Sequence, residues 1–217
     1  MSPSENLFSS SDLDRAISAL RKDLLAEGGP QISTMRNHNF AILPYHPEGE
    51  YPLRRRIKRL IDEDLKPSGF AVLSIALQKL LFQRLRRLGE DNLQSLIARE
   101  KRLHDKNPER ALEHVKSKLI REIEGPDGLA ADVAAEIERF SAAHPDQRDR
   151  AVVFVGRIGA LYPFFRVSAL LKHIASRTEN IPVVLLYPGI RRDTETNALS
   201  FMGVLDADRD YRPRVYP

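Results

Sequence analysis

A chain of 217 residues, 42% hydrophobic and 29% charged, can bury a core of its own and is excluded from the disordered class. It has no cysteine, which excludes disulfide staples, thiolate metal sites and cysteine nucleophiles; with no secretory h-region and no apolar run long enough to span a bilayer, a cytoplasmic protein with no membrane contact is expected. The formal charge of +4 is too small to name a partner but is unevenly spread: residues 50–90 hold ten Lys or Arg against five acids, leaving the remainder near neutral.

The spacing of Leu13, Ile17, Leu20 and Leu24 predicts a helix over Ser11–Ala26, with Ser11 and Asp12 as caps and Gly28, Gly29 and Pro30 as the stop. Asn39–Tyr45 reads as a short buried strand, left through the loop PYHPEGEYP. Apolar residues at 53, 57, 60, 61 and 65 make Leu53–Leu65 an amphipathic helix, ended by Pro67 and Gly69. Phe70–Ile75 is strand-like and runs into a helical leucine stripe from Leu77 to Leu88. The order strand, helix, strand, helix favours a parallel sheet.

Three helical stretches then follow with no strand between them: Asp91–His104, Glu109–Ile123 and Leu129–Ala143. Asn107 and Pro108 read as a cap with proline at the first helical position, and GPDG at 125–128 reads as a turn. The last third returns to strand Ala151–Gly156, helix Phe164–Ala175 and strand Pro182–Tyr187, with Leu199–Val204 and Tyr211–Tyr216 as short edge strands. The expected architecture is a three-layer α/β sandwich on a mainly parallel sheet of four to six strands. It forms a single domain over 1–217, with a helical insertion over about 90–145.

The chain lacks the complete motif of a self-sufficient enzyme, and a binding role without catalytic residues is expected. The loop between Pro44 and Pro52 has one glycine and no lysine, so it does not match a phosphate-binding loop, and a nucleotide site there would be degenerate. Gly156 and Gly159 follow a strand but lack dinucleotide spacing, and they read as glycines that turn a strand into a helix. Asp206, Asp208 and Asp210 alternate as in a calcium loop, yet Tyr211 and Pro217 stand where glycine and glutamate are needed; acids pairing with Arg209, Arg212 or Arg214 explain them better. The six histidines are scattered, so neither a metal nor a cofactor is expected.

Arg54, Arg55, Arg56, Lys58 and Arg59 crowd one helix and are candidates for contact with nucleic acid or an acidic partner. The alternative is a solvated helix face, since no aromatic stacking platform or helix-turn-helix signature accompanies the charge.

The C-terminal third reads AVVFVGRIGALYPFFR, a leucine-rich helix, IPVVLLYPG, LSFMG and DRDYRPRVY. In the turn Tyr162-Pro163-Phe164-Phe165-Arg166, in Tyr187-Pro188-Gly189 and in Asp208-Arg209-Asp210-Tyr211-Arg212, the chain resembles the BrxB family of BREX bacteriophage-exclusion systems. The resemblance implies phage defence, no established catalytic activity and no catalytic residue to transfer. It also implies work beside other BREX proteins: a PglZ-type phosphatase-like protein, a methyltransferase and a large ATPase.

Tyr162, Arg166, Tyr187, Arg191 and Arg192 are expected just past the C-terminal ends of parallel strands, where open α/β sheets gather ligand sites. With Arg209, Tyr211 and Arg212 of the last motif they are the candidate partner-binding residues. The leading expectation is an adaptor that binds the PglZ-type protein. A DNA-contacting module and a degenerate nucleotide-binding domain are the alternatives, and a homodimer is left open.

Overall fold

A computed structural model of the chain describes residues 3–32, 39–175, 177–191, 199–205 and 213–217. Its elements in chain order are α1 (Pro3–Leu24), β1 (Phe40–Tyr45), α2 (Glu50–Arg59), β2 (Ala71–Ala76), α3 (Leu77–Arg87), α4 (Glu90–His104), α5 (Pro108–Glu124), α6 (Leu129–Ala143), β3 (Ala151–Gly156), α7 (Val167–Ile174), β4 (Val183–Arg191), β5 (Leu199–Phe201) and β6 (Arg214–Val215). The sheet runs β2-β3-β4-β1-β6 with every neighbouring pair parallel, and β5 adds antiparallel to the far end of β4. This is a three-layer α/β sandwich, as composition and element order predict.

The layers follow from the two-residue period of the strands. Phe40, Ile42, Ile75, Val153, Val155, Val183 and Leu185 face one way, into a core closed by α3, α6, α7 and the inner end of α5. Ala41, Leu43, Tyr45, Val152, Phe154, Val184 and Leu186 face the other way, against α1, α2 and the turn that continues α2. That turn, Leu60–Leu65, is widened by a bond from Lys66 N to Ile61 O at 3.0 Å, five residues back.

Pro44 stands inside β1 at little cost. Ile42 O accepts from Tyr216 N at 2.9 Å, so Pro44, two residues on, turns its missing N–H to the same side, past the end of the two-residue β6. Tyr216 is fully buried and its hydroxyl donates to Asp23 on α1 at 2.9 Å. Arg214 lies 2.8 Å from the same carboxylate and 4.9 Å from the Tyr216 ring centroid, so the C-terminal strand is fastened to the first helix.

Of the four helices between β2 and β3, α6 buries Leu129, Val133, Ile137 and Phe140 in the main core, whereas α4 buries nothing. Asn107 caps α5 as its sequence predicts, its side chain accepting from Arg110 N at 2.9 Å ahead of Pro108. The turn before α6 needs glycine: a Cβ on Gly128 would lie 2.8 Å from the carbonyl oxygens of both Ile123 and Gly125.

Several boundaries differ from the sequence expectation, the edge strands shrinking to Leu199–Phe201 and Arg214–Val215, and three of the differences have a visible cause. The first helix starts at Pro3 rather than Ser11, because proline suits a first turn and no breaker follows it, so Ser11 and Asp12 lie mid-helix. The helix after β3 starts at Val167 rather than Phe164, since a turn closed by Phe164 N to Leu161 O at 2.8 Å and an extended Arg166 precede it. The strand expected to end at Tyr187 continues to Arg191 because β5 pairs with its last three residues. That approach is close: a Cβ on Gly189 would fall 2.5 Å from Ser200 O and 2.3 Å from the Tyr187 ring. Tyr187 therefore lies inside β4, not past its end.

Candidate functional site

Strands β3, β4 and β1 are adjacent and parallel, so their C-terminal ends open on one edge of the sheet. The chain leaves β1 for α2 on one face and leaves β3 for α7 on the other, which parts the loops and opens a crevice where such sheets bind ligands. Pro47, Glu50, Arg157, Gly159, Ala160, Pro188 and Met202 line it, around a volume of about 230 Å³.

A polar network ties the strand exits together. Tyr45 ends β1, and its hydroxyl donates to the Glu50 carboxylate in the first turn of α2, where a negative charge also suits the helix dipole. Burial, and after it the bond to Glu50, pushes the Tyr45 phenol well above its ordinary range, so the hydroxyl stays protonated and donating. Arg157, just past β3, lies 3.7 Å from Glu50 and donates to Gln78 Oε1 of α3 at 3.0 Å.

Arg157 takes φ +59, a left-handed conformation that costs a side-chain-bearing residue on the order of 1 kcal/mol. The strand-to-helix turn predicted from Gly156 and Gly159 is thus made by the arginine between them. Its contacts with Glu50 and Gln78 hold the guanidinium at the mouth of the crevice. Two large exposed side chains lie close in sequence to the lining: Tyr51, next to Glu50, is 73% exposed and Val204, two residues past Met202, is 64% exposed. The lining supplies one carboxylate and one guanidinium, groups that fix the orientation of a polar or charged ligand.

The sequence-predicted residues fall in different places. Tyr162 is half-buried with its ring 6.2 Å from that of Phe201, and Arg166 is exposed just before α7. Tyr187 is core: it is 1% exposed, packs 5.6 Å from Phe201 and donates to Leu199 O at 3.3 Å. Arg191 ends β4, and Arg192, Arg209, Tyr211 and Arg212 lie outside the described residues, as do Asp206, Asp208 and Asp210. Arg214, one of the arginines expected to pair with those acids, pairs with Asp23.

The basic helix is largely neutralised from within. Arg56 makes a two-pronged contact with Asp14 of α1, Lys58 and Lys66 share Asp62, and Arg59 lies 3.7 Å from Glu63. Shared between two ammonium groups, the Asp62 carboxyl is held down to about 2. Arg54 lies 6.0 Å from the Tyr51 ring centroid, and among the described residues Arg55 has no ion-pair partner.

Sequence reasoning did not single out Tyr45, Glu50, Gln78, Arg157 or Val204. The sequence does carry one signal: an arginine directly after a strand-ending glycine, in VGR. In the loop PYHPEGEYP, a phosphate-binding pattern looks for glycine and lysine and passes over the glutamate.

Among the described residues, no three His, Asp or Glu side chains gather as a metal site, and no helix is long and apolar enough to cross a membrane. No curated protein and no solved structure matches the chain. A family model described as "BREX protein BrxB" matches residues 73–215, from β2 through β6 and including Gln78, Arg157 and Val204. On that match the chain belongs to the BrxB family and is a component of a BREX phage-defence system.

Proposed function

We propose that the chain is a non-enzymatic adaptor of its phage-defence system, which docks a partner BREX protein on the carboxyl edge of its sheet; the PglZ-type phosphatase-like protein is the partner we favour. The observation that carries this reading is the Glu50–Arg157 crevice, with exposed Tyr51 and Val204 on the segments that supply its lining residues Glu50 and Met202. Aromatic and apolar anchors around a fixed arginine and carboxylate are what a protein interface uses as its energetic centre. Arg166 and the half-buried Tyr162 follow β3 on the same side of the fold and extend the surface.

A nucleotide-binding reading draws less support from the geometry. Glu50 places a carboxylate in the first turn of α2, where a phosphate would otherwise meet the positive end of the helix dipole.

Co-expression with the PglZ-type protein, followed by size-exclusion chromatography with light scattering at low and high salt, tests the proposal. A complex that survives high salt and disappears in the double variant Tyr51→Asp, Val204→Asp is expected. Separate peaks for the wild-type proteins at micromolar concentration would reject it.

A further inference from the structure

The helical hairpin α4–α5 is balanced as a whole, with eight Lys or Arg and eight acids over residues 90–124, but its tip half carries a poorly paired positive excess. Residues 99–118 hold seven Lys or Arg against four acids, with His104 and His114 among them. Among the described residues their only ion pair is Lys116 with Glu113, at a loose 3.9 Å. On and beside α2 the balance is tighter: residues 50–66 with Asp14 hold six cations against five acids, and four of those cations are paired.

The hairpin is also built to hold these charges in place. At its base, Leu119 and Ile123 of α5 enter the main core. Arg84 of α3 binds Asp132 and the Asp127 carbonyl and lies 3.3 Å from Glu122, with its side chain only 11% exposed. At the tip, Asn107 N donates to Leu103 O at 2.7 Å, its side chain caps α5, and Ala111 is buried. The tip is therefore a rigid corner about 22 Å from the start of α4, at 1.5 Å of rise for each of its 15 residues.

We propose that this corner grips the phosphate backbone of a nucleic-acid duplex through Arg99, Lys101, Arg102, Lys106 and Arg110, all exposed. An acidic protein would meet the same charges. It would also need an aromatic or apolar anchor; the tip, residues 104–110, offers only Pro108, and the exposed Ile97 and Leu112 flank it singly, one on each helix. A phosphate backbone needs only cations held at a fixed spacing, and each contact releases bound counterions. This surface is separate from the crevice, so either assignment stands without the other.

The test is fluorescence anisotropy of the full chain with a labelled DNA duplex of about 30 base pairs, titrated from about 50 to 300 mM KCl. The wild type binds, and its log-log salt slope reports the phosphates engaged. In the variant Lys101→Gln, Arg102→Gln, Lys106→Gln, Arg110→Gln, the slope flattens by about 0.9 for each phosphate no longer neutralised, and affinity at about 100 mM KCl falls tenfold or more. The α2 variant Arg54→Gln, Arg55→Gln, Lys58→Gln, Arg59→Gln, which also removes four charges, keeps the wild-type slope. All substituted residues are exposed, so circular dichroism and thermal melts stay unchanged and separate a binding defect from a folding defect. No binding at about 50 mM KCl, a wild-type slope in the hairpin variant, or a binding defect in the α2 variant instead would overturn the proposal. So would a hairpin variant that fails to bind the PglZ-type protein but still binds DNA, which would make the corner an acidic-protein site.

Discussion

Helix α2 and the hairpin α4–α5 are both rich in Lys and Arg, yet the fold treats them in opposite ways. On α2 the acids are in reach: Asp62 and Glu63 follow Lys58 and Arg59 by four residues, and α1 brings Asp14 to Arg56. The helix is also packed, with Leu53 and Ile57 buried. Along α4 nothing is buried, and the hairpin cations have one loose partner among the described residues. A run of basic residues therefore does not locate a basic field; the field lies where the cations stay unpaired and the surface stands clear of the core.

The difference in packing gives the largest expected effect. Leu53→Ala on α2 removes a side chain that is 1% exposed and destabilises the fold by about 2 to 5 kcal/mol, whereas Leu96→Ala on α4, only partly buried, costs less than about 1 kcal/mol. Urea denaturation of both variants measures this, and equal losses would show that the hairpin is as integral to the core as α2.

Arg84 comes next because it anchors the hairpin base. Arg84→Ala leaves Asp132 and Glu122 of α6 and α5 without their main partner and costs about 3 kcal/mol. Amide exchange in the variant should quicken over α5 and α6 and stay unchanged in β1, β3 and β4.

Unmasking α2 is a smaller effect. Asp14→Asn with Asp62→Asn removes the carboxylates beside Arg56, Lys58 and Lys66 and changes stability little, as for exposed pairs generally. It should raise duplex affinity a few-fold, bringing α2 closer to the hairpin.

The smallest effect is a titration. With its folded pKa held at about 2 by Lys58 first and Lys66 second, Asp62 adds stability that is fully present above its unfolded value near 4 and is lost as pH falls from there through about 2. Carboxyl chemical shifts should place the midpoint near 2 and move it upward in Lys58→Ala.

Much of the fold was legible because central parallel strands are continuous apolar runs, such as AVVFV and VVLL, bounded by turn residues. What escaped depends on contacts far apart in sequence. β4 outlasts its apolar run because β5 pairs with Gly189–Arg191, a contact that Gly189 alone permits and that moves Tyr187 from the strand's expected end into its interior. The site was hidden for the same reason: Glu50 and Arg157 lie in different thirds of the chain, and only the order β3-β4-β1 brings them together. The pairing of Arg56 with Asp14 is equally invisible in sequence, whereas the four-residue spacing of Lys58 and Asp62 could have been read as self-neutralising.

Hydrogen exchange on the purified complex with the PglZ-type protein tests the central claim, that partner docking lies on the carboxyl edge and not on the basic surfaces. Protection is predicted in the loops at 46–51, 157–163 and 202–205, with α2 beyond its first turn and the α4–α5 tip unchanged. Protection confined to α4–α5 or α2, with the crevice loops exchanging as in the free protein, would contradict it.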